Sequence, residues 1–470
     1  MRSLDLRRRC TVWPRFHSSG ANSARLMLLA LGAVGLTACH NRMPDLEVEG
    51  TGCVKTIVML ASPVGGALGN GVATFDSAWT IIARSHWDTT YNGVKWTAVR
   101  DSLRPKAAAA RDVHELRTVL AQMLGTLGQS HFSIIPGESN GGAPSTRDQS
   151  GNIGATIRDV DGAMLVTAVR AGGPADRAGI RPGFSIQAVD GCAVAGRPNF
   201  ADQRRAKLSH WSAVTSKLRG PVTDSALIRV KDGDGKSRIL TVAREIEPGF
   251  VTKVGNLPAL TAQLETEKRA VDGRTVGIIR FNTWMAVLSE GISNAIDSLR
   301  GSDAIVLDIR GNFGGLAMMA PGVAGHFIDT SLTLGTLIQR GGVQQFVINP
   351  QRVNRANKRV TPFGGPVAIV VDELSISTSE IFAVGMQALG RARVFGAQSA
   401  GQALPSVAEQ LPNGDILYHA IANFLSPTGK PVEGTGVLPD VVVPVTRSLL
   451  LRGRDPAFDA ALAWAAASKK

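Results

Sequence analysis

The run Val367 to Val371 (VAIVV) constrains this chain more than any other stretch. Five apolar residues, four of them β-branched, read as a buried strand, and the run breaks at Asp372 and Glu373 into a Ser/Thr cluster that opens an apolar helix. Strand, sharp turn, helix is the layout that lifts a serine out of a sheet. The first-turn N–H groups of the new helix have no internal acceptor and point at whatever that serine attacks. Ser377 is therefore a candidate nucleophile. The same residues, Ser377-Thr378-Ser379-Glu380, also spell a capping box in which Ser377 and Glu380 satisfy each other's backbone donors. The motif alone leaves both readings open.

Around that stretch, strand and helix patterns alternate. Val276 to Arg280 reads as a strand, Val287 to Leu299 as an amphipathic helix and Ala304 to Ile309 as a strand. A glycine-rich turn from Arg310 to Gly315 and a further helix follow. Beyond the nucleophile helix come the strand Ala392 to Phe395 and a C-terminal pair, Ile416 to Phe424 and Val441 to Val445. Such alternation argues an α/β layer with parallel strand pairs, whose sites form at the carboxyl ends of the strands. The glycine-rich turn sits at such an end, but it lacks the Gly-Lys-Ser/Thr that a phosphate-binding loop needs.

Upstream the period changes to 3.6. Phe75, Trp79 and Ile82, then Trp96, Val99 and Leu103, then Val113, Leu116, Val119, Leu120, Met123 and Leu124 make apolar stripes of core helices. The last helix turns through Gln129-Ser130-His131-Phe132 into a short strand, Ser133 to Ile135. A histidine on a turn is well placed for chemistry. Residues 137–151 (GESNGGAPSTRDQSG) read as a linker by their Gly, Ser and Pro content. Strands at Ile153 to Ile157 and Met164 to Val169, a helix near Ala201 to Leu218, and a hairpin of Ser225 to Lys231 with Ser237 to Val242 complete a β-rich unit. Its segment GGPADRAGIRPGFSIQAVDG is very similar to PDZ domains. That resemblance implies an extended peptide held along a strand edge and a helix, with amides near Gly151 to Ile157 taking a terminal carboxylate.

With 470 residues, 44% of them hydrophobic, and 52 glycines and 23 prolines, the chain is a turn-rich globular protein of several domains. Its first 38 residues carry six arginines against one acid, then the apolar run Leu26 to Leu36 and Leu36-Thr37-Ala38-Cys39. That order reads as a secretory signal, and the final tetrapeptide resembles the bacterial lipobox, which would make Cys39 a lipidated first residue. An ordinary signal peptide with an incidental cysteine is the alternative. Membrane attachment through that lipid is the partner this implies, and His40 after Cys39 resembles the outer-membrane sorting choice. Part of the formal charge of +13 belongs to this leader, and no basic block with interleaved aromatics appears, so nucleic-acid binding is not expected. Cys53 and Cys192 would be the remaining thiols, free to pair in an oxidising compartment. No paired Cys/His spacing suggests a metal site, and no cofactor is implied.

Taken together, NGVKW (92–96), the PDZ-like insert, LDIRGNFGG (307–315), VDELSISTSEIFA (371–383) and PVEGTGVLPD (431–440) resemble the S41 serine peptidases, the family of C-terminal processing and tricorn-type proteases. The resemblance implies a multidomain α/β protein. It would have a helical front (72–136), the linker, a PDZ-like β-rich domain (152–247) and an α/β catalytic core of the ClpP/crotonase-like type (248–470), after the signal (1–38) and a lipid-anchored tether (39–71). It implies peptide or protein substrates, taken through their C-termini. One branch of the family uses a lysine base, but the matching position here is Gln402, whose amide cannot accept a proton usefully. The tricorn-like branch instead uses histidine, and the resemblance assigns His131 as base, oriented by Ser130 and Glu433. The oxyanion would lie between the amide of Thr378 and one from the Gly314-Gly315 pair. A catalytically silent relative that only binds peptides or apolar ligands is the rival reading, against which intact Ser377, His131 and Glu433 argue.

Overall fold

A computed structural model describes residues 71–137, 150–200, 202–253, 257 and 259–468. The leader, Cys39, the tether with Cys53 and most of the expected linker lie outside the described residues.

The central sheet has six strands in the order Leu264–Val271, Arg274–Phe281, Ala304–Asp308, Val367–Val371, Arg393–Gly396 and Val441–Val442. The first pair is antiparallel and every later pair is parallel. Successive residues of a strand face opposite sides, and here both sides are covered. Ile305, Leu307, Ile369 and Val371 pack with the helices Ala286–Leu299 and Thr378–Ala388, whereas Val306, Ala368 and Val370 pack under the C-terminal helix Pro456–Ala467. That is why Val367–Val371 is apolar at every position rather than alternating.

Three helices, Gly71–Ser85, Trp96–Ala108 and Val113–Gly125, form the front around Phe75, Ile82, Leu116, Leu120 and Leu124. Their core also takes in Leu411, just after the strand Ser406–Gln410, and Leu417 from its antiparallel partner Ile416–Ala420. The strand Ser133–Ile135 adds to that pair, with Ser133 opposite Tyr418. The front is thus joined to the core by shared hydrophobic packing and by sheet hydrogen bonds. The stretch Ile416 to Phe424, expected as one strand, is two: after Ile421 the chain re-forms as Ala422–Leu425 and pairs with Leu332–Gln339 in a different sheet.

The insert contains the strands Ala155–Val160, Ala163–Val169, Ser185–Val189, Ser225–Lys231 and Ser237–Ala243 and the helix Gln203–Leu218, around Ile157, Val166, Ile186, Val214 and Ile228. Its first strand begins at Ala155, two residues beyond the expected start. Cys192 is disulfide-bonded. Several contacts bind the insert to the core. Arg158 pairs with Asp372 at 2.7 Å, the rings of Trp211 and Phe313 lie 5.3 Å apart, Arg204 donates to the carbonyls of Gly434 and Thr435, and Arg447 donates to that of Gly183.

Candidate active site

Where the strand Val367–Val371 ends, the turn is stitched to its neighbour. The Asp372 carboxylate accepts from the amides of Gly311 (2.8 Å) and Leu374 (3.0 Å), and the Ser375 hydroxyl donates to the carbonyl of Ile309 (2.9 Å). Ser377 then takes φ 58° and ψ −118°, a conformation non-glycine residues adopt at a cost of about 1–3 kcal/mol. Two acceptors hold its N–H there: the carbonyl of Gln402 at 2.9 Å and the carboxylate of Glu380 at 3.0 Å. Fully buried Glu380 also accepts from the amides of Gly401 (2.7 Å) and Gln402 (2.9 Å) and bonds the Ser399 hydroxyl. Burial pushes its carboxyl up to about 7, against the pull of those donors. The capping box is thus real, and it presents Ser377 instead of excluding it from chemistry.

Opposite the serine lies the glycine-rich turn. Gly314 has φ 86°, and a Cβ there would come within 2.7 Å of the Ser377 Cβ and 3.0 Å of the Thr378 nitrogen, so only glycine allows the approach. Its amide, however, donates to the Asn312 side chain at 3.0 Å, which removes Gly314 as an oxyanion donor. Gly315 and Thr378 remain. The amide of Thr378 opens a helix and has no intrahelical acceptor, and that of Gly315 has no partner among the described residues. The Thr378 hydroxyl donates to the Gly315 carbonyl at 3.0 Å and fixes the two segments together.

Ser130 and His131 sit where the front meets the core, and His131 too has a positive φ, 61°. The Glu433 carboxylate accepts from the Ser130 amide (2.9 Å), the Ser130 hydroxyl (2.9 Å) and the Ala403 amide (2.9 Å). Ser130 Oγ lies 2.7 Å from His131 Nδ1. The hydroxyl has one proton, and it goes to Glu433. Nδ1 must then be the donor to Oγ, which leaves the lone pair on Nε2. Burial lowers the imidazole to about 4, so it is neutral near pH 7, and burial raises the Glu433 carboxyl. A path of single links joins the two halves. Glu433 holds Ala403, the next residue is Gln402, and the Gln402 carbonyl holds Ser377. Among the described residues no hydrogen bond joins Ser377 Oγ to His131, an interaction that commonly tightens only when substrate is bound.

This arrangement can support acyl transfer: a half-buried serine on a strained turn, free amides beside it, and a neutral imidazole held in one tautomer. Gln402 contributes through its backbone alone, once as acceptor and once as donor. Sequence reasoning missed Glu380, Ser399 and Asn312 as supports of the site. Only Glu380 left a signal, its place in the capping box.

Residues 275–443 match peptidase family S41, and residues 73–125 match the tricorn protease C1 domain. The carboxyl-terminal-processing protease of Synechocystis sp. is 25% identical over 373 residues, covering 78% of this chain and 79% of the relative. The chloroplastic carboxyl-terminal-processing peptidase 2 of Arabidopsis thaliana is 26% identical over 399 residues, covering 83% and 72%. Among solved structures, the photosystem II D1 C-terminal processing protease superposes with a TM-score of 0.54 at 22% identity, covering 83% of this chain and 98% of that one. Mature CPAF does so with 0.54 at 14% identity, covering 82% and 94%. These two likenesses concern the fold.

Proposed function

Because this chain is a serine peptidase of family S41, we propose that it hydrolyses peptide bonds through an acyl-enzyme formed on Ser377, with His131 as base. Ser377 Oγ attacks the scissile carbonyl while His131 Nε2 takes its proton. The carbonyl oxygen, now negative, is met by the amides of Thr378 and Gly315. As the tetrahedral species collapses, the imidazolium gives that proton to the leaving amine, and water then releases the acyl group by the same steps. Ser130 and Glu433 keep Nδ1 the protonated nitrogen and offset its charge. The observation that carries this reading is the Glu433–Ser130–His131 relay, whose hydrogen-bond directions leave Nε2 as the acceptor. A silent peptide-binding relative would have no use for it.

The test combines labelling and kinetics. A fluorophosphonate should label the wild type and not Ser377→Ala. His131→Ala should lower peptide hydrolysis by on the order of 10²–10⁴-fold, while Gln402→Ala keeps most of it, because only the backbone of Gln402 is engaged. Activity that survives loss of His131 would sink the assignment.

The substrates on this reading are proteins or peptides of the bacterial envelope, presented through their C-termini, as the names of the relatives suggest for those proteins. The insert acts as a PDZ-like unit that recruits them and gates the site. Lipidation at Cys39 would hold the enzyme on the periplasmic side of the outer membrane, a reading supported by the Leu-Thr-Ala-Cys spacing. Cys39→Ala should then appear in the soluble fraction, and a variant that stays in the membrane pellet after a salt wash would contradict the anchor.

A further inference from the structure

The strand Ile416–Ala420 is the middle one of three, and Tyr418 sits at its centre, opposite Ser133 on one side and Ala408 on the other. Ser133 follows His131 by two residues, and the Tyr418 ring lies 5.6 Å from the imidazole at an interplanar angle of 42°. Residues two apart on a strand share a face, so Ser406, two before Ala408, is on the face that carries the phenol and is within its diagonal reach. The phenol meets the Ser406 hydroxyl, and burial raises its pKa above that of an ordinary phenol, so it is neutral and a donor. Ser406 in turn donates to the carbonyl of Leu404 at 2.7 Å, which leaves its oxygen to accept the phenolic proton. Leu404 ends the segment in which the Gln402 carbonyl holds the Ser377 amide and the Ala403 amide holds Glu433.

We propose that Tyr418 is a positioning residue that keeps the two halves of the site in register: its ring fixes the plane of the His131 imidazole, and its hydroxyl, through Ser406, fixes the Gln402–Leu404 segment that holds Ser377. The proposal rests on the assignment of Ser377 and His131 and deepens it. The Glu433–Ser130 relay settles where the imidazole proton is, but one hydrogen bond at Nδ1 holds an edge of the ring and leaves it free to tilt. A packed aromatic wall removes that freedom, and locked side chains are what hold a catalytic group in productive geometry. The ring also keeps water from one face of the imidazole. Among the described residues, the charged and titratable groups around His131 are Glu433, reached through Ser130 and with Arg204 beside it, and Tyr418 itself; His419 is turned away, bonded to Glu409 and Ser85.

The experiment uses the full chain, a small ester as substrate and the rate at which a fluorophosphonate labels Ser377. Tyr418→Phe keeps the ring and loses the tie, so kcat should fall by roughly 2- to 10-fold with KM unchanged. Ser406→Ala should match it, and the double variant should be no worse than either single one, because all three break the same link. Tyr418→Leu loses the ring as well and should cost on the order of 10²-fold in both rates. A loss of stability alone would not move the acid limb of the pH dependence of kcat/KM. That limb should shift upward from about 4 toward 6.5 in Tyr418→Leu, as water reaches the imidazole, and stay in place in Tyr418→Phe. If Tyr418→Leu does not fold, Tyr418→Met, longer and also without a ring, takes its place. Additive losses in the double variant would overturn the tie to Leu404. Wild-type rates and an unmoved acid limb in the ringless variant, with His131 still required, would overturn the role of the ring and leave the peptidase assignment standing. Ester hydrolysis and labelling that survive His131→Ala would overturn both.

Discussion

Ser377 and His131 both have positive φ, 58° and 61°, which non-glycine residues rarely adopt. Strain of this kind persists only where the surroundings over-determine it. For Ser377 the key neighbour is Glu380, which is buried and bonded to three amides and a hydroxyl. Its carboxyl lies at about 7 in the fold and at the ordinary 4.5 when unfolded, so between those values the native state binds more protons at this group than the unfolded chain does. Stability from this group is therefore present at low pH and lost as pH rises through that window. The half-buried imidazole of His131 acts in the opposite sense, losing stability as pH falls from 6.5 toward 4. In a comparison of wild type with Glu380→Gln that contribution cancels. The stability of the wild type relative to the variant should fall by on the order of 3 kcal/mol between pH 5 and pH 8, measured by denaturant unfolding. A difference independent of pH would mean that the carboxyl is ionised throughout.

Among the elements, the insert helix Gln203–Leu218 has the largest consequence for the site. Trp211 on it packs against Phe313, which stands between Asn312 and Gly314 in the turn that faces Ser377. An aromatic pair contributes about 0.5–1.5 kcal/mol beyond its buried area. Trp211→Ala should therefore loosen the turn and lower kcat for a small ester by roughly 2- to 10-fold, although the ester is too small to reach the insert. An unchanged ester rate would mean that the ring contact does not position the glycine turn. The short strand Ser133–Ile135 has the matching role on the base side, since its pairing with Ile416–Ala420 sets where the preceding histidine lies. The rings of His131 and Tyr418 are 5.6 Å apart across that junction.

In the whole molecule, the proposed base and nucleophile come from segments separated by the entire insert, and misplacing a catalytic group by about 1 Å can cost on the order of 10²-fold. Three links from the insert end at the site's periphery: Arg158 on Asp372, Trp211 on Phe313, and Arg204 on the carbonyls beside Glu433. A peptide that shifts the insert thus has a mechanical route to the site without touching Ser377. Replacing Asn152 to Arg244 by a short Gly/Ser bridge should lower turnover of both a small ester and a long peptide, the ester by roughly tenfold or more. Loss of long-peptide cleavage with the ester rate intact would mean that the insert only recruits.

What the sequence determined by itself was local and periodic. The unbroken apolar run of Val367–Val371 dictates a strand covered on both faces, and the 3.6-residue stripes dictate the helices of the front, because burial of one face is a property of neighbouring residues. The strand–turn–helix pattern likewise drew attention to Ser377 and the helix-to-strand turn to His131, whereas Ser130 and Glu433 entered only through the resemblance to the S41 motifs. Tertiary structure alone decided which groups those residues would meet. Glu380 looks like an ordinary helix cap until the loop Ser399–Gln402 folds onto it, and Gly314 looks like a donor until the Asn312 side chain takes its amide. The stretch Ile416 to Phe424 reads as one strand until two different sheets claim its halves. Hydrogen-bond partners distant in the chain leave no periodicity, and so only the assembled fold could assign them.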